Sequence, residues 1–357
     1  MITVSDATAG ILTGSSWVYK IRVESWRADE LLEDDLPVDS ASEDTDRSLR
    51  VPERLTLSVP RLVRGVSYAP TTFDAPLAAY GQRLRVLLGV GGRGTETEWI
   101  ERGWFLIHEA EPSGATVTVT GVGLLTLIDE ARLVSPYQPA GTLGSTLRSL
   151  LEPAITVDLT AAPTDRSVPS TINLEEDRLG AVLEILDAWG ADASVGADGV
   201  YRVIPADQST SPLLTLSRAT TAIDAAGAST RDVGHNVVVV RGTAADGGQV
   251  QGVAYETTGP TAYGGPFNDL PVPYFFQSPL LTTVDQCTKA AVTVRDRLRR
   301  ANGQRFSVNV VIDPRLQVGD VVALDATDYQ IDAAVIEALR LPYTPGAGAM
   351  TLTLREL

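Results

Sequence analysis

The sequence predicts a mainly β protein of the α+β class, and three features of its patterning carry that prediction. Short alternating apolar and polar segments recur over the first 130 residues, punctuated by Gly, Pro and Asp. From Gly141 to Gly190 the apolar spacing lengthens to three and four residues, the period of helices. After residue 283 one long amphipathic helix is followed at once by more alternating segments.

A chain of 357 residues is long enough for two or three domains, each with its own core. With 44% hydrophobic and 21% charged residues, the composition is that of an ordinary globular protein. No apolar run approaches the ~20 residues that span a bilayer, and the N-terminus lacks the basic and apolar regions of a secretory signal. A single cysteine, Cys287, allows neither an intrachain disulfide nor a Cys-based zinc site, as in a protein made in a reducing cytoplasm. The formal net charge is -16, so the basic footprint that phosphate contacts require is missing. Such a charge serves solubility, and it also suits a channel wall along which DNA slides without sticking.

Taken in order, residues 1–16 are small and polar and read as an arm. Trp17, Tyr19, Ile21 and Val23 alternate with Lys20, Arg22 and Glu24 as an amphipathic strand. Residues 29–50 carry two acidic clusters (Asp29, Glu30, Glu33, Asp34, Asp35; then Asp39, Glu43, Asp44, Asp46) without the Gly and distal Glu of a calcium loop, and read as solvated. Leu55–Val59, Arg83–Leu88, Trp104–His108 and Thr116–Thr120 are further strands, arguing for a small antiparallel barrel or sandwich. Gly89-Val90-Gly91-Gly92-Arg93-Gly94 matches a dinucleotide-binding pattern, but no apolar helix follows it, so it reads as a hairpin tip.

In the middle, Leu143, Leu147, Leu150 and Leu151 form a short helix stripe ended by Pro153, and a Pro-, Thr- and Ala-rich link covers 161–170. Asn173 and Glu176 are placed to cap a second helix with the face Leu179, Val182, Leu183, Leu186 and Trp189, closed by Gly190. Trp189 reads as a core anchor. A hairpin turns at Gly196–Gly199 into the strand Val200–Ile204.

Residues 235–242 and 249–255 pair as another hairpin. The loop 258–281 is rich in Pro, Gly and aromatics. A loop this long with its own apolar side chains favours a partner contact by Tyr263, Phe267, Tyr274, Phe275 and Phe276 over a lid on the chain's own fold. The long helix over 284–301 starts at a capping box, Thr283 and Gln286. Its apolar stripe is Val284, Cys287, Ala291, Val294 and Leu298. It ends in Arg295, Arg297, Arg299 and Arg300, which suit the macrodipole, before Asn302-Gly303. Phe306, Val308, Val310 and Ile312 form a strand, and a corner built on Pro314, Gly319 and Asp320 turns the chain into the next.

Catalytic signatures are absent: no G-x-S-x-G, H-E-x-x-H, P-loop or C-x-x-C occurs. His108 and His235 lie in strands, and Cys287 on an apolar stripe is an inert thiol. No catalytic, metal-binding or cofactor-binding residue is assigned, and no enzyme activity is expected.

The order helix, strand, "DPRLQVGDVVAL" and closing strands to "MTLTLREL" resembles the C-terminal half of phage tail hub proteins, the baseplate-hub and tail-tip family. "ERGWFLIHEAEPSGATVTVTGVGLLTLIDEARL" resembles the end of that family's first barrel, and "WGADASVGADGVYRVIP" its small α/β domain. "AGILTGSSWVYKIRVES" and "DLPVDSASEDT" resemble minor tail proteins from phages of actinobacteria. The resemblance implies two small β-barrel domains (1–130 and 229–357) separated by a small α/β domain (131–228). The implied role is that of a homotrimeric tail-tip hub in the virion, made in the host cytoplasm. It would adapt a sixfold tail tube or distal tail protein to a threefold tip or spike. The tape-measure protein would be a further partner, and DNA only passing cargo. A non-contractile tail is the first reading and the hub of a contractile injection system the second. A tail-associated cell-wall hydrolase and a carbohydrate-binding adhesin are the alternatives from other classes.

Overall fold

The computed structural model describes residues 1–14, 17–92, 96–169, 172–206, 211–228, 234–244, 246–302, 304–344 and 346–357, with the side chains of 300–302 left aside. Arg93 and Gly94 of the glycine-rich tip, and Gly303 after the long helix, lie outside the described residues.

The first segment holds α1 (Asp6–Leu12), β1 (Val18–Arg27), β2 (Glu30–Glu33), β3 (Ser40–Asp46), β4 (Glu53–Pro60), a two-residue pair β5 (Leu62–Val63) and β6 (Val66–Ser67), β7 (Gln82–Gly91), β8 (Glu98–Ser113) and β9 (Thr116–Gly123). The middle holds α2 (Thr126–Glu130), α3 (Leu143–Leu151), β10 (Val157–Asp158), α4 (Arg178–Trp189), β11 (Ala191–Val195) and β12 (Tyr201–Pro205). The remainder is β13 (Thr215–Ser217), β14 (Ala222–Ala228), β15 (Val237–Thr243), β16 (Gln249–Tyr255), β17 (Pro273–Gln277), α5 (Val284–Asn302), β18 (Arg305–Val310), β19 (Val321–Asp325), β20 (Gln330–Pro342) and β21 (Met350–Glu356). The protein is mainly β with a minority of helix, as its patterning predicts.

Strands from both ends of the chain form one thirteen-stranded sheet in the order β14-β18-β21-β20-β3-β4-β9-β8-β7-β1-β2, with β19 and β13 branching from β20. The branch is made by a single strand. The first residues of β20 pair with β19 (Ala334 opposite Val322), and its last five pair with β3 (Ala338 opposite Asp46 to Pro342 opposite Ser42). An irregularity between Ile336 and Ala338 separates the two registers. One face of this sheet buries a single apolar core that includes Leu55, Leu57 and Leu88 of the first segment and Phe306, Leu352 and Leu354 of the last.

A second core gathers α3, α4, α5 and the sheet β16-β15-β17 around Leu147, Val182, Ile185, Val240, Cys287 and Ala291. Val51, Leu124 and Leu125, at the ends of the strands β4 and β9, belong to it, so the two cores meet there.

Several elements depart from their sequence reading. The second acidic cluster is not a solvated loop, because Ser40–Asp46 is the central strand β3, with Ala41, Glu43 and Thr45 turned inward. Part of the arm is helical: Ser5 caps α1 by accepting from the Thr8 amide. The cap of α4 is Asp177, which accepts from the Gly180 amide, rather than Asn173 or Glu176. The capping box of α5 uses Thr283 and Gln286 as read, but its return bond is shifted by one residue. Thr283 Oγ1 accepts from the Gln286 amide (3.2 Å), while Gln286 Oε1 reaches back to the amide of Thr282 (2.8 Å).

The hairpin that the sequence predicts over 235–242 and 249–255 is present as β15–β16. It forms a separate sheet on which α5 lies. Two glycines permit that approach: a Cβ on Gly252 would overlap the backbone of Cys287 and Thr288, and one on Gly242 the carbonyl of Leu281.

Because α5 touches backbone at Gly252, Gly252→Ala is expected to destabilise the fold by about 1–3 kcal/mol through overpacking. Urea denaturation of the variant beside the parent protein measures it.

Candidate functional site

The corner after β18 is built from its own side chains. Asp313 accepts from the Arg315 amide (3.0 Å) and pairs with its guanidinium (2.7 Å). Asp320 accepts from the Gln317 amide (2.8 Å) and from the amino group of Met1. Between them Gly319 holds φ +89°, a left-handed conformation that favours glycine. Gly319 N donates to the Ile336 carbonyl (2.8 Å) and Ile336 N to the Asp320 carbonyl (2.9 Å), so the corner docks on β20 where its register changes. Gly319 and Asp320 of the sequence reading are thus held against β20, and Pro314 is held through its carbonyl by Arg102 of β8.

What fills the space beneath the corner is a residue that the sequence did not single out. Arg102 of β8 is 6% exposed. Its Nη1 donates to the carbonyls of Pro314 (2.6 Å) and Leu316 (3.0 Å), and its Nε and Nη2 reach Glu43 of β3 at 3.2 and 3.0 Å. Glu43 accepts in addition from the hydroxyls of Tyr343 and Thr45. Burial works against the Arg102 charge, but the Glu43 carboxylate and Tyr343 outweigh it and the guanidinium stays protonated. Burial, then Glu43, drive the Tyr343 phenol well above its ordinary value, keeping it a neutral donor. The network therefore joins β3, β8, the segment after β20 and the corner through satisfied, charge-assisted bonds.

Beside it lies a cavity of about 50 Å³, lined among others by Glu43, Glu53, Arg102, Trp104 and Gln317. Glu53 Oε2 is buried without a hydrogen-bond partner, and burial carries its pKa up to about 7. Arg47, next to β3, spans this region by pairing with Asp192 of β11 and packing on Gly319.

The aromatic segment is less uniform than a contact loop. Its last part is β17, parallel to β15, where period-two alternation turns Tyr274 and Phe276 onto the second core and leaves Phe275 outward under the Arg241 guanidinium (5.2 Å). Tyr274 meets the His235 ring edge-on (5.4 Å), and Phe267 packs on the backbone of Gly234. Tyr263 is exposed and meets exposed Tyr255 in a tilted ring contact (5.1 Å). Of the five candidates, Tyr263 and Phe275 are thus the exposed ones.

The outward face of the sheet was not visible in the sequence. Across the β3–β20 seam it forms a hollow of about 660 Å³ walled by Ser42, Thr56, Ser58, Thr118, Asn309 and Thr351. The guanidinium in its lining, Arg340, faces Asp44 at 3.7 Å. Among the described residues no cluster of His, Cys, Asp and Glu is placed to hold a metal, and no helix is long and apolar enough to cross a membrane. Cys287 is buried in the second core, and burial raises its thiol pKa.

No protein-family model matches this sequence, and no curated protein does. Solved structures do match the fold along nearly the whole chain. A tail protein from Neisseria meningitidis superimposes with a TM-score of 0.67 at 14% identity, covering 94% of this chain and 97% of that one. The 43-kDa tail protein of prophage MuSo2 from Shewanella oneidensis does so at 0.58 and 10% identity, covering 94% and 98%. A component of the E. coli type VI secretion system, described as similar to the T4 tail proteins gp27 and gp5, gives 0.52 and 12% identity over 90% of this chain and 74% of that one. The chain shares its fold with these phage tail proteins.

The buried network sets a test of its own. Arg102→Met strands Glu43, and Glu43→Leu strands Arg102, so each single variant is expected to lose about 3–5 kcal/mol of stability. The double variant should recover a large part of the summed loss, short of the donors withdrawn from Pro314 and Leu316. Chemical denaturation of all four proteins closes the cycle.

Proposed function

We propose that this chain is a structural hub protein of a phage tail tip, acting as a homotrimer. The observation that carries this reading is the shared sheet. Two halves of similar make-up, β3-β4-β9-β8-β7-β1 and β14-β18-β21-β20-β19-β13, are joined side by side through β3 and β20. Three copies present six such halves, the arrangement needed to receive a sixfold tail tube or distal tail protein above and a threefold tip or spike below. The whole-length likeness to tail proteins of two bacterial sources supports it.

The hydroxyl-walled hollow at the seam suits the face toward the passage. Ser, Thr and Asn side chains offer DNA no unpaired cation, and the chain's net charge of -16 repels it. DNA is then passing cargo rather than a ligand, and the tape-measure protein is a further partner. Exposed Tyr263 and Phe275 are the contacts offered to neighbouring tail proteins. The role is structural rather than enzymatic, and the location is the virion tail.

The likeness to a type VI secretion component favours a second reading, the hub of a contractile injection device. A sheath gene beside the coding gene supports that device; a tape-measure gene without a sheath supports the non-contractile tail.

Sedimentation velocity over a concentration series tests the assembly. A species of three chains is expected to dominate as concentration rises, whereas a monomer at every concentration contradicts the trimer.

A further inference from the structure

The meeting place of the two cores holds a carboxyl oxygen that, among the described residues, no hydrogen-bond donor answers. Glu53 stands at the start of β4, between Val51 of the second core and Leu55 of the first. Opposite it, Gly123 ends β9 and leads into Leu124 and Leu125 of the second core. A Cβ on Gly123 would overlap the Glu53 carboxyl, so the glycine provides the space in which the carboxyl sits. Oε2 is buried there without a hydrogen-bond partner. The adjoining cavity is bounded by the Gly196-Ala197 turn of the β11–β12 hairpin and by Gln317 of the corner.

We propose that Glu53 is a pH-sensitive latch between the two cores: as a neutral acid it lets the β11–β12 unit close on the rim formed by β4 and β9, and as a carboxylate it loosens that contact. The groups around it leave a carboxylate without a counter-charge. From β3 it faces Glu43, whose own charge is matched by Arg102 of β8 (3.0 Å). On its own strand the Glu53 backbone amide hydrogen-bonds the carboxyl and lowers its pKa against the larger effect of burial, and Arg54, whose Nη1 donates to the carbonyls of Val51 (3.0 Å) and Glu53 (2.8 Å), lowers it as the smallest influence. From β12 it faces Tyr201, a buried phenol that burial holds neutral. Asp192 of β11, which also acts on Tyr201, is engaged by Arg47. The corner contributes the uncharged Gln317.

The direction in pH follows from linkage. The closed form holds its proton up to about pH 7, whereas an opened, solvated Glu53 releases it near the ordinary carboxylate value. The closed state therefore binds more protons between these limits. Its advantage is complete below the ordinary value and is lost as pH rises toward 7, beyond which it stays constant.

Hydrogen exchange of the full chain, followed by mass spectrometry and corrected for the intrinsic pH dependence of exchange, tests this. Between pH 5 and pH 7, peptides spanning 51–55, 122–125 and 201–205 are expected to lose at least about tenfold in protection, while β18 and β21 hold theirs. The permanently neutral variants Glu53→Gln and Glu53→Met should show no such loss. Unchanged protection in the parent protein, or the same loss in either neutral variant, overturns the latch.

Discussion

A guanidinium closed off from water and held by a carboxylate on another strand is the constraint on which this architecture rests. Removing Arg102 and Glu43 from solvent is costly, and only a complete set of partners offsets the cost. Those partners come from four distant places: β3, β8, the corner carbonyls and Tyr343. The charged groups are satisfied only when β3 lies against β20 and the corner lies over β8. The network thus specifies how the first and last thirds of the chain register, a role that the apolar core cannot fill alone because apolar contact is not directional.

The second core is held together by a different device. Gly242 lets the Leu281 carbonyl approach β15 and Gly252 brings α5 onto bare backbone, and Arg166 donates to the carbonyls of Leu280 (3.1 Å) and Ala188 (3.0 Å), tying the approach to α5 to the end of α4. Ser278 adds a hydrogen bond to Glu184 (2.8 Å). Where the two cores meet stands the Glu53 carboxyl, whose Oε2 is buried without a hydrogen-bond partner among the described residues.

Local patterning made much of this legible. The helix α5, the close of α4 at left-handed Gly190 and the alternating strands β1, β9 and β18 depend on short-range periodicity and turn chemistry, which the sequence displays directly. The corner was legible for the same reason, since Pro314 and Gly319 impose backbone geometry wherever they stand. β3 was not. "SASEDTD" carries three carboxylates and little β propensity, and reads as solvent-facing until Arg102, 59 residues away, is placed against Glu43. Arg102 itself sits in "ERGW", where nothing local marks a buried cation. The aromatic segment was legible as apolar, but its division into inward Tyr274 and Phe276 and outward Phe275 needed β15 as a partner. The hydroxyl face follows from the β3–β20 pairing and so was hidden with it.

The central claim is that three copies of this two-part sheet close into a ring around a passage. Electron microscopy of the purified protein, classified without imposed symmetry, measures it most directly. The expected result is a threefold ring of six similar lobes with a central hole, its wall formed by the Ser42, Thr118 and Thr351 face. Discrete two-lobed particles that persist at high concentration, or a ring that turns this face outward, contradict it.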